Sequence, residues 1–158
     1  MKFWVGIALG VFLSEPLLAM SCAHKSNSNS NRLVLQYESS DLLTHQALEA
    51  ANRSYAPFSK MPAGVAIELK DQRIFLGSYL EYSDLPRMWP IDAALLKLIE
   101  AGASFDQIAK VVIIQKPGFM KTIDQIQITK NILKEITHFK KVELYSALAV
   151  EENQLEQK

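Results

Sequence analysis

Cysteine is nearly absent from this chain of 158 residues, which contains one, Cys22. A single cysteine excludes an intrachain disulfide, and it excludes structural zinc sites built from four cysteines or from two cysteines and two histidines. Net charge is absent as well, because 17 basic residues balance 17 acidic ones. No basic field is available to neutralise a phosphate backbone, so we expect no nucleic-acid partner.

Long apolar runs are also scarce, and the one at the N-terminus, residues 3–13, is too short to span a bilayer. Lys2 precedes it and small residues follow it, which is the order of a secretory signal peptide. The residues ending at Cys22 resemble a bacterial lipobox, in which the cysteine is lipidated. We expect residues 1–22 to be a signal peptide and Cys22 to anchor the exported chain in the cell membrane or outer membrane. Plain cleavage, giving a periplasmic or secreted protein, and no export are the alternatives.

Residues 23–40 contain a polar run of alternating serine and asparagine, which cannot bury a core. They are predicted to be a flexible tether between the anchor and a folded domain. Apolar periodicity begins after Ser40, so we place the domain at residues 41–147. Residues 148–158 are predicted to be a polar tail, part of which can form a short helix.

Within that domain the periodicity of apolar residues changes between helical and strand-like spacing. It predicts helices at 41–55, 90–102 and about 123–136, a hairpin of strands at 64–69 and 73–79, and strands at 111–114 and 142–147. Pro90 at the start of the second helix and Gly102 after it are expected helix punctuation. The order α-β-β-α-β-α-β predicts an α/β fold, a three-layer α/β/α sandwich with a mixed sheet.

Residues 54–66, SYAPFSKMPAGVA, are very similar to the opening segment of cytidine deaminases, where S-Y-A-P-[YF]-S leads into the first strand. Glu81 falls on the glutamate of the family's N-x-E-N motif, and the helix from Pro90 lies where the family has its zinc helix. The chain is therefore identified as a member of the cytidine deaminase family over about residues 42–145. This resemblance implies the same α/β/α fold.

The resemblance also implies where a zinc site would lie. The family holds zinc with His/Cys/Cys or three cysteines, and a nearby glutamate that is not a ligand moves protons. Here the ligand positions fall on Pro90, Ile126 and Thr129, and the glutamate position falls on Asp92. We therefore expect no zinc, no other cofactor and no catalytic residue. Asp92 is interpreted instead as a first-turn carboxylate that the helix macrodipole stabilises.

The family's nucleoside contacts correspond to three positions of this chain. Glu81 is kept, and its counterpart holds a ribose hydroxyl. Tyr79 replaces the partner asparagine, and Met61 replaces the phenylalanine that packs on the base. Met61, Tyr79 and Glu81 are accordingly the candidate substrate-binding residues.

Apolar residues, Trp89 and Ile91 among them, surround the former metal position, and we expect them to pack the pocket shut. Two helix N-termini should point into this region, and Asp92 and Thr129 are available to cap them. The sequence predicts a catalytically inactive protein that acts by binding or as a structural module and can form homo-oligomers. The alternatives are a nucleoside-binding protein, or an enzyme with residual hydrolytic activity on cytidine or another nucleoside.

Overall fold

The computed structural model describes residues 32–117, 124–138 and 142–155, all of them within one compact unit, residues 31–158. The predicted signal peptide and Cys22 lie outside the described residues. The elements are β1 (Leu33–Leu35), α1 (Leu42–Asn52), β2 (Ala63–Leu69), β3 (Ile74–Ser78), α2 (Pro90–Glu100), β4 (Ile108–Gln115), α3 (Gln125–Ile136), β5 (Glu143–Glu151) and α4 (Glu152–Leu155), with a 3₁₀ turn at Phe105–Gln107.

The five strands form one sheet in the order β1-β5-β4-β2-β3. All neighbours are antiparallel except β4 and β5, which are parallel. Helix α1 covers one face, while α2 and α3 cover the other. This arrangement confirms the predicted three-layer α/β/α sandwich with a mixed sheet.

Each face of the sheet has its own core, because side chains alternate between the two faces along every strand. Val65, Ile67 and Ile113 pack against Ile91 and Leu98 of α2. The intervening residues Ala66, Val112 and Ile114 pack on the other face against Ala47 and other residues of α1. Burial on both faces explains why β4 is a nearly continuous apolar run.

Two glycines allow the helices to approach the sheet closely. A Cβ atom on Gly77 of β3 would lie 1.9 Å from the Pro90 carbonyl oxygen, at the first residue of α2. A Cβ atom on Gly64 of β2 would lie 2.2 Å from the Ala51 nitrogen of α1. The first turn of α2 therefore rests directly on β3.

The N-terminal boundary of the domain differs from the prediction. Leu33–Leu35, placed in the tether, form β1 and pair with Glu151–Ala149 of β5. The Asn52 side chain accepts a hydrogen bond from Leu33 N–H at 2.7 Å and donates one to the Leu33 carbonyl at 3.1 Å. Three apolar residues beside a polar repeat are too short a signal for a strand, so periodicity missed this pairing.

The C-terminal part of β5 was also underestimated, because pairing with β1 extends the strand to Glu151, beyond the predicted domain end at residue 147. By contrast, Gly102 follows the end of α2 as the predicted helix punctuation. Gly102 has a φ of 69°, its N–H donates to Ile99, and the Ala103 N–H donates to Leu98. This is the pattern of a Schellman C-cap.

Among the described residues, no helix has the length and apolarity needed to cross a membrane.

Candidate functional site

The buried carboxylate of Glu81 organises the loop between α1 and β2. Its Oε2 atom accepts hydrogen bonds from the backbone N–H groups of Phe58 and Ser59, both at 2.9 Å. Its Oε1 atom accepts one from the Tyr79 hydroxyl at 3.3 Å and lies 3.7 Å from Arg87 Nε. We call these five residues the Glu81 cluster. Both carboxylate oxygens of Glu81, which is 1% exposed, are thus engaged by the chain itself.

Backbone pairing brings the cluster together. The Tyr55 N–H donates to the Tyr79 carbonyl at 2.9 Å, and the Glu81 N–H donates to the Tyr55 carbonyl at 2.8 Å. Residues 54–59, which carry the family resemblance, are therefore held against the segment that follows β3. This contact places Glu81 under the loop that contains Phe58 and Ser59.

The hydrogen bonds of Glu81 determine its charge state. Burial by itself would raise the pKa of its carboxyl group, but the N–H groups of Ser59 and Phe58 and the hydroxyls of Ser59 and Tyr79 lower it by more. The net effect is a pKa below the ordinary 4.5, so Glu81 is a carboxylate at neutral pH. A charged group that accepts several hydrogen bonds in the interior stabilises its surroundings only while it stays ionised.

Tyr79, at the position of the family's asparagine, is fully buried. Its ring stacks on Trp89 with the centroids 5.6 Å apart and the planes inclined by 23°. Burial, and then the charge of Glu81, raise the pKa of the Tyr79 hydroxyl. The ring is committed to an internal stack with Trp89, the residue that precedes α2.

Met61, at the position of the base-packing phenylalanine, is also buried. Its carbonyl oxygen accepts a hydrogen bond at 3.0 Å from Gln125 Nε2, at the first residue of α3. The sequence-predicted contacts Met61, Tyr79 and Glu81 therefore all lie in the interior. Gln125, which links Met61 to α3, was not singled out from the sequence, because nothing around a glutamine at a helix start indicates burial.

The three residues predicted at the ligand positions lie within the first two turns of α2 and α3. Pro90 is the buried first residue of α2, and Ile126, in the first turn of α3, packs against the apolar core. Thr129 is 1% exposed, and its hydroxyl has no hydrogen-bond partner among the described residues. Zinc in proteins takes thiolate, imidazole or carboxylate ligands. One neutral hydroxyl beside a proline and an isoleucine does not fit such an ion.

No group of three His, Cys, Asp or Glu side chains that could hold a metal ion occurs within residues 32–117, 124–138 and 142–155. Asp92, at the position of the family's glutamate, is an exposed residue of α2. Desolvation by the surrounding protein raises its pKa, and a hydrogen bond from the Trp89 backbone opposes this in part. Asp92 and the buried Glu81 therefore lie in different environments.

The expected capping pattern was wrong for α3. Asp124 is its N-cap, and the Asp124 side chain accepts hydrogen bonds from the N–H groups of Ile126 and Gln127 at 3.0 and 3.2 Å. Thr129 lies beyond the first turn, where helical N–H groups already have partners. An aspartate just before an apolar-periodic run is a recognised N-cap signal, and the sequence contained it. At α2, the N-cap Trp89 makes no side-chain capping bond, but Asp92 accepts a hydrogen bond from the Trp89 backbone, as expected for this helix start.

The comparisons with known proteins agree with this fold. Residues 11–130 match the family described as the cytidine and deoxycytidylate deaminase zinc-binding region, and the chain belongs to that family. It is 42% identical over 78 residues to a cytidine deaminase of Histophilus somni, a match that covers 49% of this chain. The matched part is 26% of that relative, so the chain spans about a quarter of its length.

Two solved structures show the same fold. The cytidine deaminase of Burkholderia pseudomallei aligns with a TM-score of 0.58 and 18% identity, over 75% of this chain and 96% of that one. The cytidine deaminase of Mycobacterium leprae aligns with a TM-score of 0.52 and 20% identity, over 73% of this chain and 95% of that one. At such identities the likeness concerns the arrangement of helices and strands.

Proposed function

We propose that this member of the cytidine deaminase family does not deaminate nucleosides through zinc and acts as a binding or structural module. The observation that carries the proposal is the donor set at the two helix starts. Pro90, Ile126 and Thr129 provide one neutral hydroxyl where the family's chemistry needs several metal ligands.

The chemistry of deamination explains why this donor set matters. Bound zinc lowers the pKa of a water molecule from 15.7 to about 7 and so supplies hydroxide at neutral pH. Asp92 has no metal-bound water to deprotonate if the ligand positions hold no metal. A carboxylate alone, exposed on α2, supplies neither the hydroxide nor an electrophile.

A cytidine deamination assay tests the proposal. The full chain, supplied with excess Zn²⁺, is expected to convert no cytidine to uridine above background. The matched control restores the family's residues by Pro90→Cys, Asp92→Glu, Ile126→Cys and Thr129→Cys in one variant, and its zinc uptake shows whether the helix starts can still hold the ion. Zinc-dependent uridine formation by the natural chain would overturn the proposal.

Nucleoside binding without chemistry is the second candidate. It is favoured by Phe58, a member of the Glu81 cluster that donates its N–H to Glu81 and is 60% exposed. An exposed aromatic ring offers a stacking surface to a base. Calorimetric titration with cytidine and uridine, repeated on Phe58→Ala, separates this function from a purely structural one. Binding that Phe58→Ala abolishes supports nucleoside binding. If neither nucleoside gives a heat of binding, this function is contradicted.

A role in assembly rests on the apolar surface around the same loops. Four large side chains there are between 42% and 65% exposed: Tyr55, Phe58, Tyr82 and Leu85. Clusters of exposed apolar side chains are typical of protein interaction sites. Light scattering coupled to gel filtration measures whether the chain forms homo-oligomers, and Leu85→Lys should dissociate them if this surface is the contact.

Export and lipid anchoring complete the proposal, on the sequence pattern around Cys22 alone. Mass spectrometry of the mature protein distinguishes the three alternatives. A lipidated Cys22 supports anchoring, an unmodified N-terminus near Cys22 indicates soluble export, and a retained Met1 indicates no export. Cys22→Ser is the matched control, because it should remove the lipid and leave the folded domain unchanged.

A further inference from the structure

Two buried oxygen atoms at the start of α3 have no hydrogen-bond partner among the described residues. They are Gln125 Oε1 and Thr129 Oγ1, and both side chains are 1% exposed. A buried polar atom without a partner forfeits its hydration with nothing in return. Two such atoms on one helix therefore indicate a site for a small guest that forms hydrogen bonds.

The two residues lie on the same face of α3. Residues four apart in a helix are neighbours, with Cβ atoms about 5–6 Å apart. The orientation of the Gln125 amide follows from its environment, because its Nε2 atom donates to the Met61 carbonyl at 3.0 Å. The amide oxygen must then point away from Met61, and it is available as an acceptor.

We propose that one buried water molecule bridges Gln125 and Thr129. The Thr129 hydroxyl donates to the water oxygen, and the water donates to Gln125 Oε1. Two hydrogen bonds of about 2.8 Å can span the separation of an i, i+4 pair. Buried waters make between two and four hydrogen bonds, so these two partners meet the lower limit.

The groups around this site are uncharged, which favours a water molecule over an ion. Gln125, Thr129 and the Met61 carbonyl carry no net charge, and a buried ion without a counter-charge would be costly. The water site rests on the proposed function in one respect. A zinc ion bound through the Thr129 hydroxyl would occupy the group that the water needs. The test therefore has to separate water from zinc.

The test is the stability of Thr129→Val, an isosteric change, measured by urea unfolding of the full chain in buffer containing a chelator. A bridged hydroxyl predicts a folding constant about five- to tenfold lower. In a double-mutant cycle with Gln125→Leu, the two effects should be less than additive, because either change removes the shared water. Thr129→Ser keeps the hydroxyl that binds the water, so it should disturb the coupling with Gln125 much less than Thr129→Val does.

The matched control is Thr137→Val at the other end of α3, where the hydroxyl donates directly to the Leu133 carbonyl at 2.6 Å. Its effect should be additive with Gln125→Leu. Unchanged or higher stability of Thr129→Val would overturn the water site, as would additivity with Gln125→Leu, and both results leave the proposed function standing. An effect of Thr129→Val that appears only with added Zn²⁺ would overturn both.

Discussion

The Glu81 cluster and the starts of α2 and α3 differ in how they use polar atoms. In the cluster, a buried carboxylate has both oxygens engaged by the loop, by Tyr79 and by Arg87. At the helix starts, Pro90 and Ile126 bring no polar side chain, and the Thr129 hydroxyl has no partner among the described residues. Polar contacts in the second region come instead from Asp124 and Gln125.

This difference shows which polar contacts stabilise the fold without any ligand. The Glu81 carboxylate holds a loop in place, so its contribution to folding does not depend on a substrate. Metal ligands contribute little to folding when no metal binds, and apolar replacements of a polar site are often neutral or stabilising. The resemblance in residues 54–59 and Glu81 therefore does not by itself imply deaminase chemistry in this chain.

The strongest test of the comparison is Glu81→Ala. It leaves two backbone N–H groups and the Tyr79 hydroxyl without an acceptor in a buried region, so we expect a loss of about 4 kcal/mol in the free energy of unfolding. Urea unfolding measures it. Glu81→Gln, which keeps one acceptor oxygen, is the control and should lose about half as much. A loss below about 1 kcal/mol for Glu81→Ala would mean that the cluster does not hold the loop.

The pH dependence of the folding stability also tests the role of Glu81. The folded pKa of Glu81 lies below its ordinary value of 4.5, so its contribution to stability is present above that value. It is lost as the pH falls through the lower, folded pKa. We therefore expect the natural chain to lose more stability than Glu81→Gln when the pH is lowered from neutrality through this window. Parallel urea midpoints for the two proteins would contradict this assignment.

The fold was predictable to the extent that periodicity marks buried faces. The apolar residues of α2 recur at helix spacing, and β4 contains a continuous apolar run typical of a strand buried on both faces. The layers followed from the order of the elements. β1 was not predictable, because its three residues acquire strand structure only by pairing with β5. At the site, the resemblance indicated Met61, Tyr79 and Glu81, but Gln125 owes its burial and its bond to Met61 to tertiary packing.

A smaller effect is expected at the start of α3. Asp124→Ala removes the acceptor for the Ile126 and Gln127 N–H groups, which should cost about 1 kcal/mol. Thermal or urea unfolding measures the loss, and Asp124→Asn, which retains capping ability, is the control. An unchanged stability of Asp124→Ala would show that this helix start does not depend on its cap.

The smallest effect is expected at Asp92. Its side chain is exposed, and desolvation raises its pKa, which offsets part of the favourable interaction with the α2 macrodipole. Asp92→Asn should therefore change the free energy of unfolding by less than about 0.5 kcal/mol. A loss of several kcal/mol would show that Asp92 retains a buried partner and would place it with Glu81 in the comparison.

The zinc content of the purified full chain tests the central claim most directly. After incubation with excess Zn²⁺ and removal of loosely bound metal, elemental analysis should find far less than one zinc per chain. Thr129→Val should give the same value, because no zinc is held there to be lost. One zinc per natural chain that disappears in Thr129→Val or Asp92→Asn would contradict the account, since the helix starts would then still form a metal site.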